Sequence, residues 1–425
     1  MRILFCNYEY PPLGGGGGVS NALLAREMAK QHEVTVLTTL GAGLPSEDVD
    51  AGVKIVRVPV FFRRPVANAN FRSMLAFIIM GIKVGRQLLK SQPFDLVNTH
   101  FVLPSGPVGD ALARAAGIPN VLTLHGGDLY DPSKLASPHR HFILRAWIRW
   151  LLRRSDLVVG QSTNTLDNMR RFYTPEIDGV RIPLGIAKPP VYAARRQSYG
   201  FAADELLCVT VGRLVARKGI HQLLAVMEAL RTERVRLLVL GTGPQASRLQ
   251  AEVRQRGLEA HVHFMGHVED SAKFGLLQMC DLYVSTSQHE GFGLVFLEAM
   301  ACGLPIVCYG HGGQSDFLED RLTGYVVPLN DLVGFVEACR TLIRDRALRH
   351  RIGQENARRV EAFFIDRCAE RYEAIFKEAM ARWHMQAIVN LSAAKKLPLG
   401  VAEARLAAAG KEEGLVSALE HSPWC

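Results

Sequence analysis

The sequence predicts two doubly wound α/β domains of similar size joined by a linker, and three observations support this fold class. The chain has 425 residues, whereas a single hydrophobic core stops growing at about 250–300 residues. Short apolar runs alternate with helical stretches, a pattern that builds parallel sheets covered by helices. The alternation falters between residues 181 and 200, where three prolines lie among small residues.

The first series of elements predicts a domain over residues 1–187. Short apolar runs are interpreted as strands and the stretches between them as helices. The predicted elements are strand 2–6, helix 20–31, strands 33–38 and 53–58, helix 71–90, strand 96–100, helix 106–116, strand 120–124, helix 140–154 and strand 157–160.

The second series predicts a domain over residues 188–365. Its elements are strand 206–211, helix 219–231, strand 235–240, helix 244–256, strand 262–265, helix 272–279, strand 282–286, helix 294–301, strand 305–308 and helix 332–344. Ligands of such sheets bind beyond the carboxyl ends of the strands. Two of these domains facing each other would therefore form a cleft.

Residues 366–384 predict one more helix, which is expected to pack back on the first domain. Residues 385–425 mix alanine, glycine, lysine and glutamate around a proline. This tail carries no recognisable site.

The formal net charge of +9 is unevenly placed. Residues 51–94 contain eight lysines or arginines and no acid, and residues 132–155 contain six and none. Such a field suits phosphates on nucleic acid, anionic lipid or an activated sugar, although a solvated basic surface is the alternative.

Cysteine placement and hydropathy favour a cytoplasmic protein. The eight cysteines form no CxxC pair and have no metal-ligand spacing, which predicts neither a zinc site nor a disulfide framework. The first apolar run is too short for a signal peptide, and no later run approaches the ~20 residues that span a bilayer.

Five consecutive glycines, Gly14 to Gly18, join the first predicted strand to the first predicted helix. Glycine allows close backbone approach and a helix amino terminus supplies amide donors, so the run is a candidate phosphate cradle; a flexible turn is the alternative. No Lys-Ser or Lys-Thr follows, and the dinucleotide fingerprint lacks its third glycine and acidic partner. A P-loop nucleotidase and a nicotinamide oxidoreductase are therefore disfavoured.

Two cations, Arg213 and Lys218, lie between the first strand and first helix of the second domain. Cations with this spacing on one loop can converge on a diphosphate, arginine as a forked donor and lysine as a point charge. Solvated surface cations are the alternative.

Two carboxylates, Glu290 and Glu298, flank the start of a predicted helix. A helix rises 1.5 Å per residue, so Glu290 stays at the cleft mouth while Glu298 lies deeper. Gly291 and Gly293 leave the helix amino terminus bare enough for a phosphate to reach backbone amides. The arrangement can bind a nucleoside diphosphate sugar, and a surface helix with two acids is the alternative.

Residues 290–305, EGFGLVFLEAMACGLP, resemble the E-x7-E signature of glycosyltransferase family 4 with its flanking residues. Residues 212–214, 218–219, 241–244 and 312–313 also lie where that family has them. The resemblance covers roughly residues 1–376, and it departs at residues 182–186, where the family usually has asparagine before the glycine. It implies the GT-B fold, in which two Rossmann-like domains face each other across a cleft, and sugar transfer with retention.

For the second domain, the resemblance implies that Arg213 and Lys218 hold the donor diphosphate. Glu298 would bind the ribose hydroxyls, and Glu290 would contact the donor sugar near its 3 and 4 hydroxyls. The remaining donor-binding positions of the signature are Gly291, Phe292 and Gly293.

For the first domain, the resemblance implies that Gly16 and Gly17 face the departing phosphate. His125, which follows a predicted strand and precedes two glycines, would hydrogen-bond the donor sugar near the anomeric centre.

The predicted reaction moves a hexose-type sugar from a UDP or GDP sugar to a glycan or lipid-linked acceptor, in polysaccharide or glycolipid synthesis. With no obvious nucleophile, charge organised in the cleft would stabilise an oxocarbenium-like transition state, and the departing phosphate would take the acceptor proton. No cofactor or metal is expected, because residues 48–50, Asp-Val-Asp, precede a strand instead of ending one and are interpreted as a solvated loop.

Two alternatives stay open. One is a nucleotide-sugar epimerase or hydrolase on the same fold. The other is a catalytically silent protein that binds nucleotide sugars, against which the retained Glu290, Arg213 and Lys218 speak.

The helix at residues 140–154 carries apolar residues on one face, which predicts core packing or membrane contact. Its opposite face carries Arg145, Arg149 and Arg153. The sequence therefore predicts that the first domain docks peripherally on the cytoplasmic face of an anionic membrane and binds no nucleic acid.

Overall fold

The computed structural model describes residues 1–60, 71–132, 134–192 and 196–395. It contains two α/β domains, each built on one largely parallel sheet. The strands are the buried apolar runs of the sequence, and both faces of each sheet are covered by helices, as continuous apolar strands require.

The first domain has an eight-stranded sheet in the order β3-β4-β2-β1-β5-β6-β7-β8. Neighbouring strands are parallel except β3, which is antiparallel to β4. The strands are β1 (Arg2–Asn7), β2 (Glu33–Thr39), β3 (Glu47–Asp50), β4 (Val53–Val58), β5 (Leu96–His100), β6 (Asn120–Leu124), β7 (Leu157–Gly160) and β8 (Val180–Arg181).

The helices of the first domain cover both faces of that sheet. They are α1 (Gly16–Met28), α2 (Phe71–Ser91), α3 (Ser105–Ala116), α4 (Phe142–Arg154) and α5 (Thr163–Phe172). Helix α1 begins inside the glycine run, four residues before its predicted start. The amide groups of its first turn therefore belong to the glycines themselves.

The second domain has a six-stranded parallel sheet in the order β11-β10-β9-β12-β13-β14. Its strands are β9 (Leu206–Val211), β10 (Val235–Leu240), β11 (Val262–Gly266), β12 (Leu282–Ser285), β13 (Ile306–Tyr309) and β14 (Gly324–Val327). Its helices are α6 (Ile220–Ala229), α7 (Ala246–Gln255), α8 (Asp270–Met279), α9 (Leu294–Ala301), α10 (Leu332–Arg344) and α11 (Arg346–Arg359).

The last described helix, α12 (Ile365–Lys395), crosses from the second domain to the first. Its Cys368, Tyr372 and Phe376 are buried in the same hydrophobic cluster as Phe5 of β1. The Phe5 and Phe376 rings meet edge to face with centroids 6.4 Å apart. Helix α12 extends past its predicted end at residue 384, and residues 396–425 of the predicted tail lie outside the described residues.

Residues 48–50 are not the predicted solvated loop, because they belong to the edge strand β3. Asp48 forms an ion pair with the buried Arg57, and Asp50 forms one with Arg26. Both carboxylates therefore have structural partners at the edge of the sheet.

Helix α4 has the predicted apolar face, but its arginine face is not the free basic surface that the sequence predicts. Its Ile148 and Leu151 are buried in the core. Arg145 and Arg149 donate hydrogen bonds to backbone carbonyls at the carboxyl end of α5, and Arg153 forms an ion pair just beyond it. The arginines of the predicted basic face thus bind groups of the same domain. The sequence analysis missed α5, whose carboxyl end and following residues provide these partners.

In the described ranges, no helix is both long enough and apolar enough to cross a bilayer. The seven cysteines that the structure describes are free thiols.

Candidate active site

The carboxyl ends of the two sheets meet across a cleft. Ser162, which follows β7, donates a hydrogen bond to the backbone oxygen of Gly291 over 2.9 Å. The amide of Thr163 donates to Asp316 of the second domain over 2.8 Å, and Arg181 pairs with the same carboxylate at 3.2 Å. Loops after β7 and β12 therefore lie in direct contact, as the parallel-sheet rule predicts.

Glu290 is the central acid of this cleft, and its side chain is almost completely buried, with 6% of the residue exposed. Lys218 Nζ donates to its Oε1 at 2.5 Å, and Arg217 Nη1 lies 3.4 Å from its Oε2. Burial alone would raise the pKa of Glu290, but these two cations and the hydrogen bonds lower it to about 2. Glu290 is thus an ionised carboxylate held by two cations.

Arg217 is a site residue that the sequence analysis missed. It also donates a hydrogen bond to the backbone oxygen of His289. The signal was its position beside Lys218 on the same loop, but one basic residue next to another does not reveal which of them reaches an acid 73 residues away.

Arg213 lies at the carboxyl end of β9, at an open cavity of about 190 Å³ that Gly212, Gly241 and Lys273 also line. Gly241 has a φ of +134°, and a Cβ there would come within 2.1 Å of the Gly212 oxygen. The two loops can approach this closely only because Gly241 lacks a side chain.

Glu298 forms a largely buried ion pair with Lys273, whose Nζ lies 2.8 Å from its Oε1. Because Lys273 lines the cavity beside Arg213, Glu298 is connected to that cavity. The side chain of Lys218 lies against Gly212, where a Cβ would come within 3.1 Å of its Cε. Both acids and both predicted cations are thus near one group of loops.

Residues 291–293 lie immediately before α9. Gly293 has a φ of +96°, and a Cβ there would lie 2.6 Å from the Phe296 ring. Phe292 is 2% exposed and packs against Phe317 with ring centroids 5.2 Å apart. The Phe292 side chain therefore belongs to the core, which leaves its backbone as the part that could contact a donor.

Gly16 lies across the cleft from the start of α9. A Cβ on Gly16 would be 3.9 Å from Leu294 Cδ1. Since Gly16 and Leu294 are the first residues of α1 and α9, two helix amino termini face the same space. Both contribute amide donors and partial positive charge, which suits a bound phosphate.

Gly17, unlike Gly16, lies against an aromatic ring that leaves no space for a side chain. A Cβ there would lie 2.3 Å from the ring of Phe101. That ring stacks on His125 with centroids 4.2 Å apart. Gly17 therefore makes room for Phe101, a second residue that the sequence analysis missed.

His125 is buried in the loop after β6. Burial lowers its pKa to about 3, so the imidazole is neutral at physiological pH. Its Nε2 lies 3.0 Å from His100 Nδ1, and its backbone oxygen accepts a hydrogen bond from Gln161. A Cβ on Gly291 would lie 3.1 Å from that oxygen, which puts the His125 loop beside the Glu290 loop.

Within the described residues, no three histidines, cysteines or acids lie close enough together to hold a metal ion.

Two family models match the chain. Residues 14–187 match "Glycosyltransferase Family 4", and residues 192–359 match "Glycosyl transferases group 1".

The chain is 31% identical over 386 residues to a glycogen synthase of Mycobacterium tuberculosis, covering 86% of this chain and 91% of that protein. It is 25% identical over 386 residues to N-acetyl-alpha-D-glucosaminyl L-malate synthase of Bacillus anthracis, covering 87% and 96%.

Among solved structures, sucrose-phosphate synthase from Thermosynechococcus elongatus has a TM-score of 0.78 at 23% identity, covering 90% of this chain and 99% of that one. Anabaena HepE in complex with UDP and glucose has a TM-score of 0.70 at 20% identity, covering 88% and 99%. With the E-x7-E loop placed at a cleft between two parallel-sheet domains, these matches lead to one conclusion: the chain belongs to glycosyltransferase family 4 and is a glycosyltransferase with the GT-B fold.

Proposed function

We propose that this enzyme moves a hexose, with retention of anomeric configuration, from a UDP or GDP sugar to a glycan or lipid-linked acceptor in polysaccharide or glycolipid synthesis. The observation that carries the proposal is Glu290, a buried and ionised carboxylate held by Lys218 and Arg217 at the cleft. The relatives' names, glycogen synthase and N-acetyl-alpha-D-glucosaminyl L-malate synthase, support a hexose-type sugar. The UDP and glucose in the HepE complex support a nucleotide-sugar donor.

In this mechanism the donor diphosphate lies between the amino terminus of α1 and the loop that carries Arg213 and Lys218. The base and ribose occupy the cavity beside Lys273 and Glu298. The bond from the anomeric carbon to the phosphate oxygen breaks while the acceptor oxygen bonds to the same face. The phosphate takes the acceptor proton, and Glu290 offsets the positive charge that develops on the sugar.

We expect no metal in this reaction, because the described cleft offers cations and helix termini as the charge that faces the phosphates. Activity should therefore survive excess EDTA. Complete loss of activity, restored by manganese or magnesium, would contradict this part of the proposal.

The test of the proposal starts with the donor. Thermal stabilisation by UDP, GDP and ADP identifies the base, because a ligand that binds only the folded state raises stability with its saturation. Nuclear magnetic resonance of the product then reads the anomeric configuration. Inversion would reject the retaining mechanism, and nucleotide release at the same rate without acceptor would favour the epimerase or hydrolase alternative.

Glu298→Ala and Lys218→Ala should each weaken binding of the nucleoside diphosphate by about 10- to 100-fold. Removing a charged hydrogen-bond partner typically costs about 1.5–3 kcal/mol, and 1.4 kcal/mol is about tenfold in affinity. Calorimetric titration with the nucleotide from the thermal screen measures the loss. The matched control is Glu337→Ala, which removes an exposed acid that is paired with Arg340 on α10. Unchanged affinity in both cleft variants would refute the assignment.

We further propose that the first domain docks on an anionic membrane, through exposed apolar residues of α2 and α4 instead of the arginines of α4. Both helices follow parallel strands of the sheet and so begin on its cleft side. Their outer surfaces expose large apolar side chains, which mark interaction sites when they cluster. These residues are Phe71, Leu75 and Ile79 on α2 and Phe142, Ile143 and Trp150 on α4.

The charge of α2 matches this partner. The exposed side of the helix continues from its apolar first turns into Lys83, Arg86 and Lys90. No acid occurs between residues 51 and 94. A surface with apolar residues beside cations fits the interface of an anionic bilayer.

Co-sedimentation with anionic vesicles should show binding that fades as salt rises. Each basic residue near an anionic leaflet contributes on the order of 1 kcal/mol. Replacing Lys83, Arg86 and Lys90 by glutamine should therefore weaken binding by about 100-fold.

The control for that experiment changes the net charge equally on the second domain, by replacing the exposed Arg254, Arg346 and Arg351 with glutamine. This control variant should bind anionic vesicles as tightly as the wild type does. Equal binding to neutral and anionic vesicles at low salt would leave a soluble acceptor as the conclusion.

A further inference from the structure

A chain of three buried side chains runs under the cleft from Asn98 through His100 to His125. Asn98 Oδ1 lies 2.7 Å from His100 Nε2, and His100 Nδ1 lies 3.0 Å from His125 Nε2. All three residues are at most 7% exposed. Neither Asn98 nor His100 is part of the family signature that identified the site.

The direction of the hydrogen bonds follows from Asn98. Its Nδ2 faces the backbone oxygen of Val121 at 3.0 Å. A carbonyl oxygen only accepts, so the donor end of the amide faces Val121 and the acceptor end faces His100. Nε2 of His100 must therefore carry a hydrogen.

The same assignment of donors and acceptors then determines the tautomer of His125. Burial lowers the pKa of His100 well below its usual range, so this ring is neutral and its Nδ1 is bare. The contact at 3.0 Å then needs a hydrogen on His125 Nε2. Because His125 is also neutral, its own Nδ1 is left with a lone pair.

The described residues supply no hydrogen-bond partner to His125 Nδ1, although that atom is buried. A buried acceptor without a donor is unfavourable, and a ligand hydroxyl would satisfy it. In a neutral histidine, the hydrogen bond made by one ring nitrogen sets which nitrogen carries the hydrogen, and so leaves the other as an acceptor.

The two rings cannot turn easily to reverse the pattern. Phe5 stacks on His100 with centroids 5.6 Å apart and an interplanar angle of 17°. Phe101 stacks on His125 at 4.2 Å and 27°. Aromatic packing therefore holds each ring in the plane in which its nitrogens meet.

We propose that Asn98 and His100 are positioning residues that fix His125 as the Nε2–H tautomer, so that its Nδ1 accepts a hydrogen bond from a hydroxyl of the bound sugar. The tautomer half of this inference depends only on the protein. The hydroxyl half rests on the proposed function.

The test reads the tautomer directly, by long-range proton–nitrogen correlation in protein with ¹⁵N-labelled histidine, assigned with a His125→Gln variant. The wild type should show His125 with the hydrogen on Nε2. Asn98→Leu removes the acceptor for His100 and should shift His125 towards the other tautomer. A hydrogen on Nδ1 in the wild type, or an unchanged tautomer in Asn98→Leu, would overturn the proposal.

Thr123→Val is the matched control. Thr123 is equally buried and accepts the second hydrogen bond of the Asn98 amide at 3.2 Å. The substitution disturbs the same packing but keeps the Val121 contact, so the tautomer of His125 should not change. A shift as large as that in Asn98→Leu would mean that packing, not the amide, sets the tautomer, and would refute the proposal.

Kinetics test the hydroxyl half. Asn98→Leu should lower kcat/KM by about 10- to 100-fold, since a mispaired buried group costs about 1–3 kcal/mol. Affinity for the free nucleoside diphosphate, which lacks the hexose that would contact His125, should stay unchanged. Full activity with a shifted tautomer would refute the role of Nδ1, whereas a wild type without any transfer activity would refute the proposed function and leave the tautomer result standing.

Discussion

Glu290→Gln is expected to lower turnover by about 100- to 1,000-fold, the loss typical of removing one preorganised electrostatic group from an active site. Affinity for the nucleoside diphosphate should change by only a few fold. Glutamine has the same shape, and its oxygen can still accept a hydrogen bond from Lys218, but it has no charge to offset the one that develops on the sugar. Steady-state kinetics and calorimetric titration measure the two quantities.

Glu205→Gln is the matched control. Glu205 is also a nearly buried glutamate, 8% exposed, and pairs with Arg236 in the same domain. It immediately precedes β9 and so lies at the end of the sheet away from the cleft. The control should reveal any loss of folding stability while keeping turnover. Equal losses of affinity and turnover in Glu290→Gln would mean that Glu290 is only a binding group.

The pH dependence follows from the lowered pKa of Glu290. A carboxyl whose folded-state pKa lies near 2 stabilises the fold fully above its ordinary value of 4.5, and this contribution is lost as pH falls towards 2. Glu290 therefore stays ionised near neutrality. A loss of activity of the wild type between about pH 7 and pH 5 should have another source, because Glu290 does not titrate in that window.

Much of the fold could be predicted from the sequence, because both sheets are made of continuous apolar strands. β5, β6, β7, β9 and β10 have the predicted bounds. The short apolar strand β14 was also missed, but the other missed elements carry little pattern of their own. β3 is acidic and β8 has only two residues, so these segments are strands only because they form backbone hydrogen bonds with a neighbouring strand. α5 and α11 are mostly polar helices with three buried residues each.

The candidate site was only half visible in the sequence. Glu290 and Glu298 belong to a contiguous signature that can be read along the chain. Their partners cannot: Lys273 reaches Glu298 across 25 residues and Arg217 reaches Glu290 across 73. Such pairs depend on how loops from different strands meet, and spacing within one segment does not encode that.

In the first domain too, the sequence did not reveal which residues from distant segments meet at the cleft. The glycine run suggested one shared purpose, a phosphate cradle, but each glycine has its own surroundings. Gly16 is open towards α9, whereas Gly17 is in contact with Phe101. Phe101 is 84 residues further along the chain, and its own φ of +68° is one that non-glycine residues rarely adopt. The tertiary structure thus holds it against Gly17.

Gly17→Ala is accordingly expected to reduce kcat/KM by about 100-fold, the loss that a displacement of about 1 Å can cause in an active site. The new Cβ would lie 2.3 Å from the Phe101 ring, so the ring has to move, and it is stacked on His125. The thermal midpoint should change little, because alanine is up to about 1 kcal/mol better than glycine within a helix, which offsets part of the contact strain.

The decisive comparison is a double-variant cycle with Phe101→Leu. If the Gly17→Ala methyl acts by displacing the Phe101 ring, a smaller side chain at residue 101 should remove the clash, and Gly17→Ala should cost much less activity in that background. Gly15→Ala, whose Cβ would meet no atom within 4 Å, should lose much less than Gly17→Ala. Equal activity losses in Gly15→Ala and Gly17→Ala would indicate that the glycine run acts as a phosphate cradle. Additive losses of Gly17→Ala and Phe101→Leu would show that displacement of the Phe101 ring does not cause the loss of activity.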